Sequence, residues 1–514
     1  MTKPEQIELD LKDVEALLER TKAVLPPEDY EIIKAMADTI YILSQSVDKK
    51  EASVRRLLRM LFGAATEKLE KAEKAKKSGV SGKKSKKGHG RHAASDYTGA
   101  EKVEIDHDTL EPGDSCPVCL KGKVYEIKEP KKVVRITGNA PLSATVYEMQ
   151  RLRCNLCGEI FTADTPEGVG DAKYDARSAA VIAVLKYGTG MPFNRLENLQ
   201  QNLGIPLAAS TQFEILEQVA ADLDPVFIEL IKKAARGDVV HNDDTTMKVL
   251  ELMKEENPTR KGIFTTGILS TTESHQIALF LTGRPHAGEN LEDLLRQRTD
   301  RSPPIQMCDA LAGNVPKNFE TLLANCLAHG RRQFVDAAKN FPQECHYALE
   351  TLAGVYKNDQ IAKDRQMDAH ERLRFHQKES GPQMEALNTW LHTQLEEKLV
   401  EPNSGLGQAI NYMLKHWKAL TLFLKEPGVP LDNNVCERAL KKAILHRKNA
   451  MFYKTLKGAQ VGDLFMSLIH TCSLAGTNPI DYFTALQENA AEMTEAPDQW
   501  LPWNYTAAQP TSSS

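Results

Sequence analysis

The spacing of hydrophobic and polar positions along this chain changes several times, and each change predicts an element. Over residues 8–24, "ELDLKDVEALLERTKAV", apolar residues recur at helical spacing until Pro26-Pro27 interrupts them. Pro27 suits the first turn of a second helix, which runs through "EDYEIIKAMADTIYILSQSVDKKEASVRRLLRML" to about Leu61 without glycine or proline. That length predicts a helical hairpin or coiled-coil segment, for packing, dimerisation or a small DNA-binding unit. Residues 175–235 are helical again. There "NRLENLQQNL" breaks at Gly204-Ile205-Pro206, and Ser210 and Thr211 offer N-caps to "QFEILEQVAADL". The cadence is that of a helix-turn-helix. Its second helix offers mainly Gln212 among acids, so a packing role and a DNA-reading role both stand open.

From about 237 the period falls to two. "DVVHNDDTTMKVLEL", "KGIFTTGILSTT" and "HQIALFLTG" predict three strands in an antiparallel meander. A helix, "AGENLEDLLRQR", and a short strand, "PIQMCDA", follow. Residues 346–425 are helix-rich, with Trp390 and Trp417 on apolar faces. A polar helix start, "LDNNVCERAL", leads into a cation-rich helix, and "GAQVGDLFMSLIHTCSLAG" comes next. The tail "PDQWLPWNYTAAQPTSSS" reads as frayed, and no internal repeat is evident.

Length and charge narrow this picture. A chain of 514 residues exceeds one ordinary core and predicts three or more domains. Charged residues at 26% and hydrophobic ones at 41% describe a folded, soluble chain. The net charge of −5 means that nucleic acid, if bound, must be met by local clusters. One such cluster is "KAKKSGVSGKKSKKGHGRH", with eight Lys or Arg between Lys74 and Arg91 and no acid. Its Gly and Ser oppose a stable helix, so it reads as a flexible basic linker, either a tether or a contact to phosphate backbones. No apolar run reaches the roughly 18 residues of a membrane span, so no membrane is expected. The opening residues lack an apolar signal core, which predicts a cytoplasmic protein.

Nine cysteines include two tight pairs, Cys116/Cys119 and Cys154/Cys157. Four thiolates on two such turns complete a tetrahedral zinc site, and a site with no open position is structural. The strand-like 34-residue spacer between the pairs fits a β-hairpin. The odd total, without a secretion signal, favours reduced thiols.

Three acids are candidates for chemistry. Asp243 lies in the first strand, Asp309 ends the later one, and Glu437 opens the cation-rich helix. Carboxylates from two strands and a helix are hard oxygen ligands for Mg²⁺ or Mn²⁺, and two such ions suit a phosphodiester reaction. Spacing alone does not bring these three together.

The motifs resemble those of the insertion-sequence-66 family of bacterial DDE transposases, over nearly the whole chain. "HNDDTTMKVLEL" is similar to the family's first acidic motif, with Asp244 where the family usually has Glu. "QMCDALAGN" is similar to the second, "CLAHGRRQF" (Cys326 to Phe334) to its C-x-x-H-x-R-R-x-F segment, and "LDNNVCER" followed by Arg447-Lys448-Asn449 to the last. The resemblance implies a multidomain α+β protein with a ribonuclease-H-like mixed α/β catalytic core. A helical insertion interrupts that core, and a helical N-terminal region and a four-cysteine zinc-binding domain precede it. The expected divisions are a helical hairpin or coiled coil at 1–70, the basic linker at 71–110 and the zinc domain at 111–166. A helix-turn-helix-like DNA-binding domain follows at 167–236, the first part of the core at 237–345 and the insertion at 346–425. The core's C-terminal helices with the catalytic Glu occupy 426–490, and a tail ends the chain at 491–514.

The resemblance also implies a reaction. A metal-activated water hydrolyses the phosphodiester at the element's end, and the freed 3′-OH attacks target DNA by transesterification. Asp243, Asp309 and Glu437 would hold Mg²⁺ or Mn²⁺. Between the adjacent aspartates, Asp243 is the expected ligand and Asp244 a pocket neighbour. Lys441 and Lys448 share the helix face of Glu437 and are expected on phosphates, with Lys442, Arg447, Arg331 and Arg332 nearby on DNA. His329 reads as half of a zinc site, a pocket histidine or a packed side chain. The implied partners are double-stranded DNA (terminal inverted repeats and target), a second copy or more of the chain, and small accessory proteins of the same element. A catalytically inactive or domesticated DNA-binding protein, or a nuclease without strand transfer, would share the same frame.

Overall fold

A computed structural model describes residues 172–509, apart from 257, 259, 300 and 301, and short stretches before them: 20–22, 26, 30–31, 33–34, 112–114, 123, 141–148, 150–153, 160–164 and 166. The N-terminal helices beyond those residues, the basic linker and the four zinc-candidate cysteines Cys116, Cys119, Cys154 and Cys157 lie outside the described residues. The chain divides into two units, Ala64–Pro141 and the remainder. Of the first, only residues 112–114, 123 and 141 are described. In the second, strands β1 (Arg151–Arg153) and β2 (Ile160–Thr162) form a small antiparallel ladder.

The main sheet has five strands: β3 (Val239–Thr246), β4 (Phe264–Thr271), β5 (Gln276–Gly283), β6 (Ile305–Cys308) and β7 (Leu322–Asn325). Their order is β5-β4-β3-β6-β7. The meander β3-β4-β5 is antiparallel, as the period-two runs predict, whereas β6 lies parallel to β3 and β7 parallel to β6. The α+β class is therefore as expected. The first strand stops earlier than its pattern suggests. Val249 bridges to Tyr453, and the N–H groups of Leu250 and Glu251 donate to the carbonyls of Tyr453 and Lys454. Leu250–Met253 thereby becomes a short helix, through a partner some 200 residues away that local pattern cannot reveal.

Ahead of the sheet come α1 (Ala176–Ala183), α2 (Phe193–Asn202), α3 (Ala209–Asp222) and α4 (Asp224–Ala234). Their apolar faces join one core with β3, β4 and β5. Two expectations change here. The helix expected after Gly204-Ile205-Pro206 starts at Ala209 with Ala208 as its N-cap, so Ser210 and Thr211 lie inside it and do not cap it. Gln212 is fully buried and donates to the carbonyls of Phe193 and Leu207, both at 3.1 Å. It locks the turn between α2 and α3 and is not presented as a reading side chain.

After the sheet's α5 (Leu250–Met253) and α6 (Ala287–Leu295), the chain enters α7 (Leu327–Ala337), α8 (Pro342–Asp364), α9 (Ala369–Glu379), α10 (Gly381–Glu396) and α11 (Gly405–Leu420). These helices build a second core around Phe334, Leu352, Leu387 and Met413, packed on β6 and β7, with Trp390 and Trp417 against it. α12 (Asn434–Ala450) then returns across β3 and β4. It approaches β4 so closely that a Cβ on Gly267 would stand 2.9 Å from Leu440, which is why a glycine sits there.

α13 (Leu456–Ala475) closes the open edge of the sheet. Asp463, Ser467 and Thr471, four residues apart on one helix face, accept from the N–H groups of Thr282 (2.6 Å), Phe280 (2.9 Å) and Ala278 (3.2 Å). These are the donors that edge strand β5 would otherwise leave unpaired beside an apolar core. The C-terminal region, α14 (Pro479–Glu488), α15 (Ala490–Glu495) and α16 (Tyr505–Ala508), is not frayed through residue 509. Trp500 and Leu501 are buried, and the Tyr482 hydroxyl donates to the Trp500 carbonyl at 2.8 Å. No helix among the described residues is long and apolar enough to cross a membrane.

Candidate active site

Strand alternation sorts the acidic run of β3. On one face, His241 is within 3.0 Å of Asn433 at the start of α12, and Thr245 accepts from Arg447 of the same helix at 3.2 Å. Asp243 shares that parity and so faces α12. Asn242 and Asp244 face the other way. Asp309 follows the last residue of β6, the strand parallel to β3, and Glu437 lies in the first turn of α12. The two strands and the helix bring the three acids into one field. Burial, and then the charges of Asp309, Glu437 and the adjacent Asp244, push the Asp243 carboxyl up to about 7, against the opposing hydrogen bond from the Asp244 N–H.

Asp244 is occupied elsewhere. Its carboxylate accepts from the Thr266 hydroxyl (2.6 Å) and from the Ala287 N–H (2.8 Å), the first residue of α6, and lies 3.3 Å from His286 Nδ1. Asn290 braces Thr266 in turn at 2.7 Å. This is an anion on a helix N-terminus, joining β3, β4 and α6.

Asp309 is aimed by Asn314, whose side-chain amide donates to one carboxylate oxygen, and by the Leu311 N–H at 3.2 Å. A buried amide cluster supports this corner: Gln306 donates to Asn242 (2.9 Å) and to the Asn314 carbonyl (2.7 Å), and Asn242 donates to that carbonyl at 2.8 Å. Asn433, in the polar helix start, spends its side chain on β3, at His241 and at the Asn242 carbonyl (3.1 Å). The local bond comes from Asp432, which accepts from the Asn434 N–H at 3.1 Å. Asn314 and Asn433 are thus positioning residues. Pattern alone left both unremarked, and the partners of Asn433 lie on a distant strand.

Glu437 keeps a buried carboxylate oxygen with no hydrogen-bond partner, and His329 Nε2 lies 3.8 Å from it. Cys326, His329 and Glu437 are the cluster of metal-competent side chains found among the described residues. Cys326 is a poor member of it. Burial pushes its thiol up to about 11, against the 3.2 Å hydrogen bond that it accepts from the Asn433 N–H. The largest charge effects on the Asp243 carboxyl come from three acids, Asp309, Glu437 and Asp244. Asp243, Asp309 and Glu437 do not form such a close cluster here, yet the unpartnered Glu437 oxygen and the mutual repulsion at Asp243 are of the kind that a hard divalent ion relieves.

The expected DNA-facing cations sort by exposure. Lys441, Lys448 and Arg332 are exposed, and Lys442 and Arg331 are half-buried. Arg447 donates to the Thr246 carbonyl and hydroxyl, tying the end of α12 to the end of β3.

The charge state of Asp243 makes a prediction for the protein without metal. A carboxyl raised in the folded state stabilises the fold fully below its unfolded value of 3.8 and loses that contribution as pH rises through about 7. Wild type should therefore lose stability relative to Asp243→Asn between those pH values in chelator. Mg²⁺ at the high end should restore wild type only. Thermal midpoints of both proteins across the pH series check this. A difference independent of pH would show that Asp243 is not held in the shared field.

Residues 172–461, more than half of the chain, match the Transposase IS66 family. Three uncharacterized proteins of Sinorhizobium fredii (strain NBRC 101917 / NGR234) are similar along most of their length. They are y4hP, 26% identical over 437 residues (79% of this chain, 76% of the relative), y4jD, 27% over 429 residues (78% and 80%), and y4qI, 23% over 435 residues (80% and 74%).

Proposed function

The chain belongs to the IS66 family of transposases, and from that premise we propose that it binds the ends of its insertion element, cuts the phosphodiester there and joins the freed 3′-OH to target DNA. The carrying observation is the shared field of Asp243, Asp309 and Glu437, with the raised carboxyl of Asp243 and the orphaned oxygen of Glu437. The sheet order supports a ribonuclease-H-like core: an antiparallel meander whose first strand is central, then two parallel strands.

In this reading Asp243, Asp309 and Glu437 hold two Mg²⁺ or Mn²⁺ ions. When bound, such ions activate water or a 3′-hydroxyl and neutralise charge at the scissile phosphate. Asp243 is the first ligand because Asp244 is already committed to the start of α6. Asn314 and Asn433 keep Asp309 and α12 in place as DNA docks. Lys441 and Lys448 hold phosphates along α12, and His329 lines the pocket beside Glu437. The reaction takes place on DNA in the cytoplasm, with two or more chains and small accessory proteins of the element assembled on its ends. The test is incubation of purified protein with Mg²⁺ and DNA carrying the repeats that flank the gene, scoring nicks and joined products. Nicked and joined ends support the reading, nicks without joining reduce it to a nuclease, and binding alone reduces it to a DNA-binding protein.

Cys116, Cys119, Cys154 and Cys157 are proposed to hold one structural zinc, on the strength of their paired spacing. Elemental analysis of the full chain should find about one zinc per chain, and Cys116→Ser should lose it. Zinc unchanged in the Cys116→Ser protein would refute that ligand set.

A further inference from the structure

The end of α12 carries a feature that the acid chemistry does not use. Met451 has φ +69° and ψ −43°, in the left-handed half of backbone space, and the Phe452 N–H donates back to the Ala450 carbonyl at 2.9 Å. This is a γ-turn of the rare, strained hand, on a residue whose Cβ disfavours it. Both flanks clamp it. The Met451 N–H donates to the Arg447 carbonyl at 2.8 Å and the Tyr453 N–H to the Lys248 carbonyl at 2.8 Å, while the Tyr453 ring is buried against His446, with centroids 5.0 Å apart. The strain holds two large apolar side chains in solvent, Met451 at 67% and Phe452 at 45% exposure. A lone exposed apolar residue needs no explanation. Two adjacent ones on a clamped, strained turn do.

Their surroundings point to one occupant. Between Glu437 and Asp463 the sequence holds seven Lys or Arg and no acid. Exposed Lys441, Leu445 and Lys448 recur at helical spacing along α12 from Glu437 toward the turn, and exposed Lys454 follows it. The helix rises about 1.5 Å per residue, so the turn stands about 20 Å along α12 from Glu437. A duplex whose scissile phosphate meets the acids and whose backbone follows these lysines would reach the turn within about six base steps.

We propose that Met451 and Phe452 form an apolar wedge that enters the base stack of the element's end and unstacks one step about six base steps from the cleaved bond. Lysines fix the backbone, and the rigid turn supplies apolar surface that a base step can cover, the way apolar side chains kink duplexes elsewhere. The inference rests on the transposase reading and adds to it a site for DNA deformation.

The test uses the full chain and duplexes carrying the flanking terminal repeat. 2-Aminopurine is placed singly at each position near the cut, and Ca²⁺ replaces Mg²⁺ to allow binding without cutting. Wild type should raise fluorescence severalfold at one step. The Met451→Gly/Phe452→Ala protein should not, and should bind the repeat about tenfold more weakly, the size of one lost base–aromatic contact. Phe452→Trp should keep the signal. Met451→Gly alone removes the strain, so an undiminished unfolding midpoint separates loss of the wedge from loss of the fold. Equal signals in wild type and the double variant overturn the wedge, as does a flat signal in a wild type that cuts the same duplex in Mg²⁺. A wild type that neither binds nor cuts the duplex overturns the wedge and the transposase reading together.

Discussion

Asp243→Asn, Asp309→Asn and Glu437→Gln should each lower cleavage and strand transfer on the order of 10³-fold or more, and pairs of them should be no worse than single changes, because residues that serve one site act as a unit. DNA binding should survive, since Lys441 and Lys448 are untouched. Glu437→Gln keeps the size of the side chain and removes only its charge. It therefore separates the donor role from packing against β3 and β4. Asp244→Asn is the internal control. It weakens the tie among Thr266, Ala287 and His286, at a cost of about 1–3 kcal/mol in stability, and should leave part of the activity. A dead Asp244→Asn beside an active Asp243→Asn would reverse the assignment of the two strand faces. Nick and joining assays on one repeat-bearing substrate, with binding measured in parallel, check every arm.

Asp463→Ala should be the most destabilising single change at the sheet edge, by about 2–4 kcal/mol. The residue is fully buried, burial pushes its carboxyl up to about 8, and it accepts from both the N–H and the hydroxyl of Thr282. Removing it strands the last donor of β5 against an apolar core. Asp463→Asn should be much milder, because burial disfavours the charged carboxylate there and an amide oxygen can still accept from the Thr282 N–H. Its raised carboxyl also has a sign: the contribution is full below 3.8 and is lost as pH rises through about 8. Urea midpoints give the size of the loss. Hydrogen exchange should place it, with faster exchange at Ala278, Phe280 and Thr282. Equal midpoints for wild type and Asp463→Ala would mean that β5 does not need this cover.

The meander and the later strand were legible because period-two runs of β-branched residues have few other uses. The strand β7 was not, since four residues in "TLLAN" carry too little pattern. The early end of β3 depends on Tyr453, and the packed C-terminal residues depend on Tyr482, so neither had a local signal. Asp463, Ser467 and Thr471 did have one, three polar residues four apart in an apolar helix. The site divides the same way. Asp243, Asp309 and Glu437 stood out by residue type and by resemblance, but the commitment of Asp244 to α6 needed the neighbouring helix. Both roles stayed open for the helix of Gln212 because burial is invisible in a helix of mixed polarity, and the packing role is the one that its buried side chain fills.

Asp243, Asp309 and Glu437, far apart in sequence, are proposed to hold the same divalent ions. Fe²⁺ in place of Mg²⁺, with ascorbate and peroxide, cuts a polypeptide near its bound metal, so mapping those cuts tests the claim directly. Chain cleavage should cluster near residues 243, 309 and 437, be suppressed by excess Mg²⁺ and be absent in Glu437→Gln. Fe²⁺-dependent cuts that avoid one of the three segments, or that persist unchanged in Glu437→Gln, would contradict it.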